Sequence, residues 1–120
     1  LNEARKNQWK VYAHQVDVKD KAQCQAMITK VIEQENKIDV LVNNSGIVRD
    51  NLLVGLESAE IEEVLDTNLM GTIHMTQVVT PFMMSQRSGN IINMSSVAAI
   101  KGGRGQSNYA ASKGAIDAFT

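Results

Sequence analysis

The sequence predicts an α/β fold built on a doubly wound parallel sheet, and three observations carry that expectation. Short apolar runs at Ile38 to Val42 (IDVLV) and Asn90 to Met94 (NIINM) have the density of buried parallel strands. Longer stretches of helical period alternate with them. Polar and glycine residues collect just after the runs, at the strand ends where open α/β sheets bind ligands.

Taken in order, the polar stretch Leu1 to Trp9 reads as a helix tail and a loop, and Val11 to Val18 (VYAHQVDV) reads as a strand whose end carries Asp17. Asp20 is placed to cap a helix on which Cys24, Met27, Ile28, Val31 and Ile32 form one apolar stripe, closed by Asn36 and Lys37. The strand at Ile38 to Val42 follows. Ser58 can cap a long helix whose first turns hold Glu60, Glu62 and Glu63, the charge that suits a helix N-terminus. Ile61, Val64, Leu65, Asn68 and Thr72 share a face of that helix, and Pro81 should bend or end it. Beyond the turn at Ser88-Gly89 come the strand Asn90 to Met94, a glycine-rich loop from Lys101 to Gly105, and a last helix starting near Asn108.

Composition narrows the class. With 43% hydrophobic and 21% charged residues and a single proline, the 120 residues suit an ordinary globular domain, one at most. Twelve basic against thirteen acidic residues, net charge -1, leave no electrostatic footprint for nucleic acid or an anionic membrane. No apolar run approaches the ~20 residues that span a bilayer. The lone thiol, Cys24, forbids an internal disulfide and suits a reducing compartment; it reads as a small core residue. His14 and His74 fit no metal-ligand spacing, and the five methionines from Met70 to Met94 read as packing or a subunit interface. Because the chain starts at Leu1 and stops at Thr120 inside a helical pattern, it reads as the central piece of a longer protein.

Four features fall at strand ends or on the helices that follow them: Asn43-Asn44-Ser45-Gly46, Asn68, Ser96, and Tyr109 with Lys113. An amide and a glycine after a strand let a flat ligand lie against the backbone. Asn68 is a polar amide on an apolar stripe, so burial obliges it to find a partner, at a cost of about 1–3 kcal/mol otherwise. Tyr109 and Lys113 are one helical turn apart on one face, and an ammonium beside a phenol favours the phenolate, which makes Tyr109 usable as a general acid or base. Ser96 offers a neutral hydroxyl to a developing alkoxide, and it stands thirteen residues before Tyr109.

Together the Asn43 to Gly46 turn, the Asn68 helix, Ser96 and the Y-A-A-S-K run from Tyr109 to Lys113 resemble the short-chain dehydrogenase/reductase family over essentially the whole chain. The resemblance implies a Rossmann-like sheet and a catalytic tetrad of Asn68, Ser96, Tyr109 and Lys113. It implies cofactor contacts from Asp17 and Val18 to the adenine, from Asn44, Ser45 and Gly46 beside the adenosine ribose, and from Tyr109 and Lys113. Ser45 stands where the family usually has alanine. The family's phosphate loop, G-x-x-x-G-x-G, its first two strands and its C-terminal lid have no counterpart in the sequence, so a partial domain is expected, one that neither binds cofactor nor folds stably alone.

Within the family, Gly46 to Leu53 (GIVRDNLL) and Lys101 to Tyr109 (KGGRGQSNY) are most similar to bacterial-type 3-oxoacyl-[acyl-carrier-protein] reductases and related quinone or carbonyl reductases. That similarity implies reduction of a 3-oxoacyl thioester in fatty acid biosynthesis with NADPH, NADH remaining open. It also implies a homotetramer in the cytoplasm or an organellar matrix, and an acidic carrier protein docking near Arg87. An NAD-dependent enzyme for a steroid, sugar or simple alcohol and a nucleotide binder without chemistry stay open, although a pure binder has no use for the Ser-Tyr-Lys set.

Overall fold

In the computed structural model, residue 3 and residues 6–120 are described; positions 1, 2, 4 and 5 of the expected helix tail lie outside them. Helix α1 (Lys21–Glu35) begins and ends as its sequence dictates. The Asp20 carboxylate accepts the Ala22 and Gln23 amides at 2.9 and 3.2 Å, and Asn36 closes the helix in the left-handed region at φ 59°. Its stripe buries Cys24 and Ile28 completely or nearly so, and burial pushes the Cys24 thiol up from its ordinary pKa.

Strand β1 (Val40–Asn43) and strand β2 (Asn90–Asn93) pair in parallel, Leu41 opposite Ile91 and Asn43 opposite Asn93. Between them run helix α2 (Ser58–Leu65), a π-helical turn (Asp66–Met70) and helix α3 (Gly71–Gln86); helix α4 (Ser107–Phe119) follows β2. The N-cap of α2 is Glu57, one residue before the expected Ser58, and its amide donates to the Glu60 carboxylate at 3.0 Å. The stripe residue Val64 is fully buried.

Pro81 does not end α3, which continues to Gln86. Pro81 is exposed, while Val79 at 0% and Met83 at 8% exposure hold both sides of the proline in the core. Gln86 then ties the helix end to the start of β1, exchanging hydrogen bonds of 2.9 Å with the Ile38 amide and carbonyl.

Helices α1 and α3 pack together over one face of the sheet, where Leu41, Ile28, Met75 and Val78 meet. The other face is less covered: Val42 and its pairing partner Ile92 are 53% and 48% exposed. Two of the five late methionines, Met75 and Met83, are core, whereas Met84 is 72% exposed.

The segment Val11 to Val18 is not a strand. Residues 11–17 carry no ladder and 18–19 form a turn, although Val16 and Val18 still pack on the core. A strand needs a neighbour to satisfy its amides, and here a cavity of about 480 Å³, walled by Val16, Val18, Leu41 and Met75, separates the segment from the free edge of β1. The radius of gyration of 16.4 Å exceeds the roughly 13.5 Å of a compact domain of this length, as a partial sheet requires.

Candidate active site

The residues singled out by sequence come from four segments, which the sheet brings together at its carboxyl edge. Helix α4 supplies two adjacent stripes. Asn108, Ser112 and Ile116 recur every four residues and are buried, and Tyr109 and Lys113 lie beside them, Tyr109 half-buried and Lys113 at 6% exposure. The Lys113 Nζ lies 5.9 Å from the centre of the Tyr109 ring, so the one-turn spacing does place the ammonium beside the phenol. That ammonium donates to the carbonyl of Met94, directly after β2, at 2.6 Å.

Asn68 sits in the π turn, the one irregularity of the long helical run from Ser58 to Gln86, and such turns re-aim a side chain by adding a residue to the helix. It is 1% exposed, and its amide is fully engaged. Oδ1 accepts the Ile47 amide at 2.8 Å, while Nδ2 donates to the Ile47 carbonyl and to Ser112 Oγ, both at 3.0 Å. The partner that burial demanded is therefore the loop after β1 on one side and α4 on the other.

Gly46 lies between these groups. A methyl at its α-carbon would stand 3.4 Å from Asn68 Oδ1 and 3.8 Å from Lys113 Nζ, so a larger side chain would fill the space between loop, π turn and ammonium. Asn44 and Ser45, before it, are exposed. Ser96 caps the short turn Val97–Ala99, its Oγ accepting the Ala98 amide at 3.2 Å, which leaves its hydroxyl proton free to donate outward. Ser95 instead turns its hydroxyl toward the Lys113 carbonyl at 3.4 Å.

Asp17 and Val18 approach the site from another side. Val18 packs so closely on the start of α3 that a methyl on Gly71 would come 2.6 Å from its Cγ2, and the Val18 carbonyl lies 3.1 Å from His74 Nδ1. The Asp17 carboxylate is exposed and accepts the Lys19 amide at 3.0 Å.

Four participants escaped the sequence reading: Ser112, Asn108, Gly71 and the Met94 carbonyl. Their sequence signals were weak, since a Ser or Asn in a helix and a main-chain oxygen look the same whether or not a partner 19 to 59 residues away awaits them.

A nicotinamide cofactor fits what is present. The buried Lys113 ammonium has three donors and one acceptor among the described residues, Met94 O, so donors remain for ribose hydroxyls. Gly46 keeps the backbone beside that ammonium open to a flat group.

Among curated proteins, the 3-oxoacyl-[acyl-carrier-protein] reductase FabG of Thermotoga maritima is 44% identical over 111 residues, which cover 92% of this chain and 45% of the relative. The chain thus spans about half the length of the curated relatives it matches. Among solved structures, an NAD+-bound xylitol dehydrogenase superposes with a TM-score of 0.95 at 29% identity, covering 99% of this chain and 46% of the other. ElxO with NADP bound superposes with a TM-score of 0.86 at 30% identity, over 89% of this chain and 44% of its own. The family model for short chain dehydrogenases matches residues 1–120, from the first residue to the last, and the chain belongs to that family.

Proposed function

We propose that this chain is the central and catalytic segment of a nicotinamide-dependent reductase acting on the ketone of a 3-oxoacyl thioester. The observation that carries the reading is the joint placement of Tyr109, Lys113, Asn68 and Gly46 at the carboxyl edge of the sheet, and the 44% identity to a FabG supports the substrate class. A nicotinamide cofactor held by Lys113 and the Gly46 loop would supply the hydride for the ketone carbon.

The chain's own groups manage the oxygen. Tyr109 gives its phenolic proton to that oxygen as the carbon is reduced, so a ketone, a hydride and a proton become a secondary alcohol. Ser96, whose Oγ already accepts an amide, donates its hydroxyl to the same oxygen and stabilises the charge that develops there. Lys113 holds the ribose hydroxyls and keeps a positive charge beside the phenol. Asn68 braces the site by tying the Ile47 loop to Ser112 of α4, and in this reading it also anchors a water on the path that returns a proton to Lys113.

Asp17 and Val18 take the adenine end, with Asn44, Ser45 and Gly46 beside the adenosine ribose. Carrier-protein docking belongs to the same proposal, with Arg87 as a contact. It caps α3 in the left-handed region at φ 54° and is exposed, but it stands three residues before β2, at the strand starts, the edge of the sheet opposite Tyr109 and Lys113 rather than at the mouth of the site. The likeness to a xylitol dehydrogenase favours one second reading, oxidation of a polyol.

The test uses the protein at its natural length, following cofactor absorbance with a small 3-oxoacyl thioester and reduced cofactor and, separately, with xylitol and NAD+. Turnover of the thioester with NADPH or NADH supports the proposal; turnover of xylitol alone replaces it with the second reading.

A further inference from the structure

Asn108, the residue before Tyr109, is held as firmly as Asn68. It is 4% exposed, and both ends of its amide are used: Oδ1 accepts the Tyr109 amide at 2.8 Å and Nδ2 donates to the Arg49 carbonyl at 2.9 Å. The first amides of a helix have no partner within it, and Gln106, at the N-cap of α4, makes no side-chain cap bond. Asn108 therefore does a cap's work from inside the helix, on the amide of Tyr109 itself.

Its other bond reaches the loop after β1, and the neighbouring contacts follow the same seam. The Asn51 amide donates to the carbonyl of Gly105, which is left-handed at φ 82°, and Gln106 Nε2 lies 3.4 Å from Asp50 Oδ2. Arg49 grips Glu63 with Nε and Nη2 at 2.9 and 3.1 Å, fixing the loop on α2. One end of the loop, Ile47, is held by Asn68; the other is held by the turn that carries Tyr109.

We infer that Asn108 is a positioning residue, which locks the first turn of α4 to the loop at residues 47–51 and so fixes the Tyr109 phenol relative to Gly46 and Lys113. The inference rests on the reading of Tyr109 as proton donor. It goes beyond a packing role, because both bonds end on groups whose shift displaces the phenol.

The test compares wild type with Asn108→Ala and Asn108→Ser at natural length, the serine keeping a short acceptor for the Tyr109 amide but not reaching the Arg49 carbonyl. Misplacing a reacting group by about 1 Å costs up to 100-fold, so kcat should fall about 10-fold or more in both variants. KM for the carbonyl and Kd for NADPH should stay within about 3-fold. Amide exchange gives a readout free of turnover: the Asn51 amide should exchange about 10-fold faster relative to that of Val79 in both variants, and the Tyr109 amide likewise in Asn108→Ala. A kcat within about 2-fold of wild type in folded variants overturns the positioning role, as does unchanged relative exchange. If wild type reduces no carbonyl, the proposed function falls, and the exchange arm still decides whether Asn108 clamps the turn. If the alanine variant does not fold, the serine variant carries the same criteria.

Discussion

Replacing Asn68 by alanine removes three hydrogen bonds at once, two to Ile47 and one to Ser112. Not all of the loss is uncompensated. Ser112 keeps its 2.7 Å bond to the Tyr109 carbonyl, and the half-buried Ile47 recovers some hydration. At a net value near 1 kcal/mol for each bond, the cost comes to about 2–3 kcal/mol. Ser112→Ala removes the Asn68 bond from the other side and the bond to Tyr109 as well, for about 2 kcal/mol. Since the Asn68–Ser112 bond can be lost only once, the double variant should be less destabilised than the sum of the singles by about 1 kcal/mol. Urea unfolding of the four proteins at natural length, with a common slope, measures that difference. Strict additivity would refute the claim that the π turn and α4 are joined through this pair.

Other expectations follow from separate parts of the molecule. Ile116 is 1% exposed on the buried stripe of α4, so Ile116→Ala should cost about 2–5 kcal/mol by chemical denaturation. Cys24, fully buried with its thiol pushed up, should resist a thiol reagent at neutral pH in the native state and react at once in urea. Amide donation from Gln23 holds the Asp20 carboxyl below its ordinary 3.8, so its contribution is present above that value and is lost as the pH falls through the lower folded value; Asp20→Asn should flatten the acid limb of the stability curve there. Arg87→Glu should raise KM for a carrier-linked substrate, more at low salt, and leave a small thioester unaffected; equal effects on both would remove Arg87 from the docking surface.

What the sequence made legible was local. The stripe and both caps of α1 are written in Asp20, Cys24, Ile28 and Asn36, because capping and helical period act within a few residues. Both paired strands appear where their apolar runs lie, shifted by a residue or two at their ends. The strand expected at Val11 to Val18 failed because pairing depends on a neighbour, which apolar content does not supply. Pro81 marked a point where the helix could bend or end, and α3 continues through it because packing on either side, which the local rule omits, holds it.

The candidate site divides the same way. Tyr109, Lys113 and Ser96 were legible as types at a spacing, and Asn68 as a polar intruder that had to be satisfied. Its partner could be demanded but not named, because Ser112 lies 44 residues along the chain. Asn108 gave no signal beyond being an asparagine near a helix start, where that residue is ordinary.

At the centre of the proposed function, Tyr109 delivers the proton in a carbonyl reduction. The most direct measurement is single-turnover oxidation of NADPH by a 3-oxoacyl thioester, wild type against Tyr109→Phe, both at natural length with cofactor affinity measured in parallel. The variant should bind cofactor with wild-type affinity and reduce the thioester about 100-fold more slowly or worse. Reduction at the wild-type rate by Tyr109→Phe would contradict it.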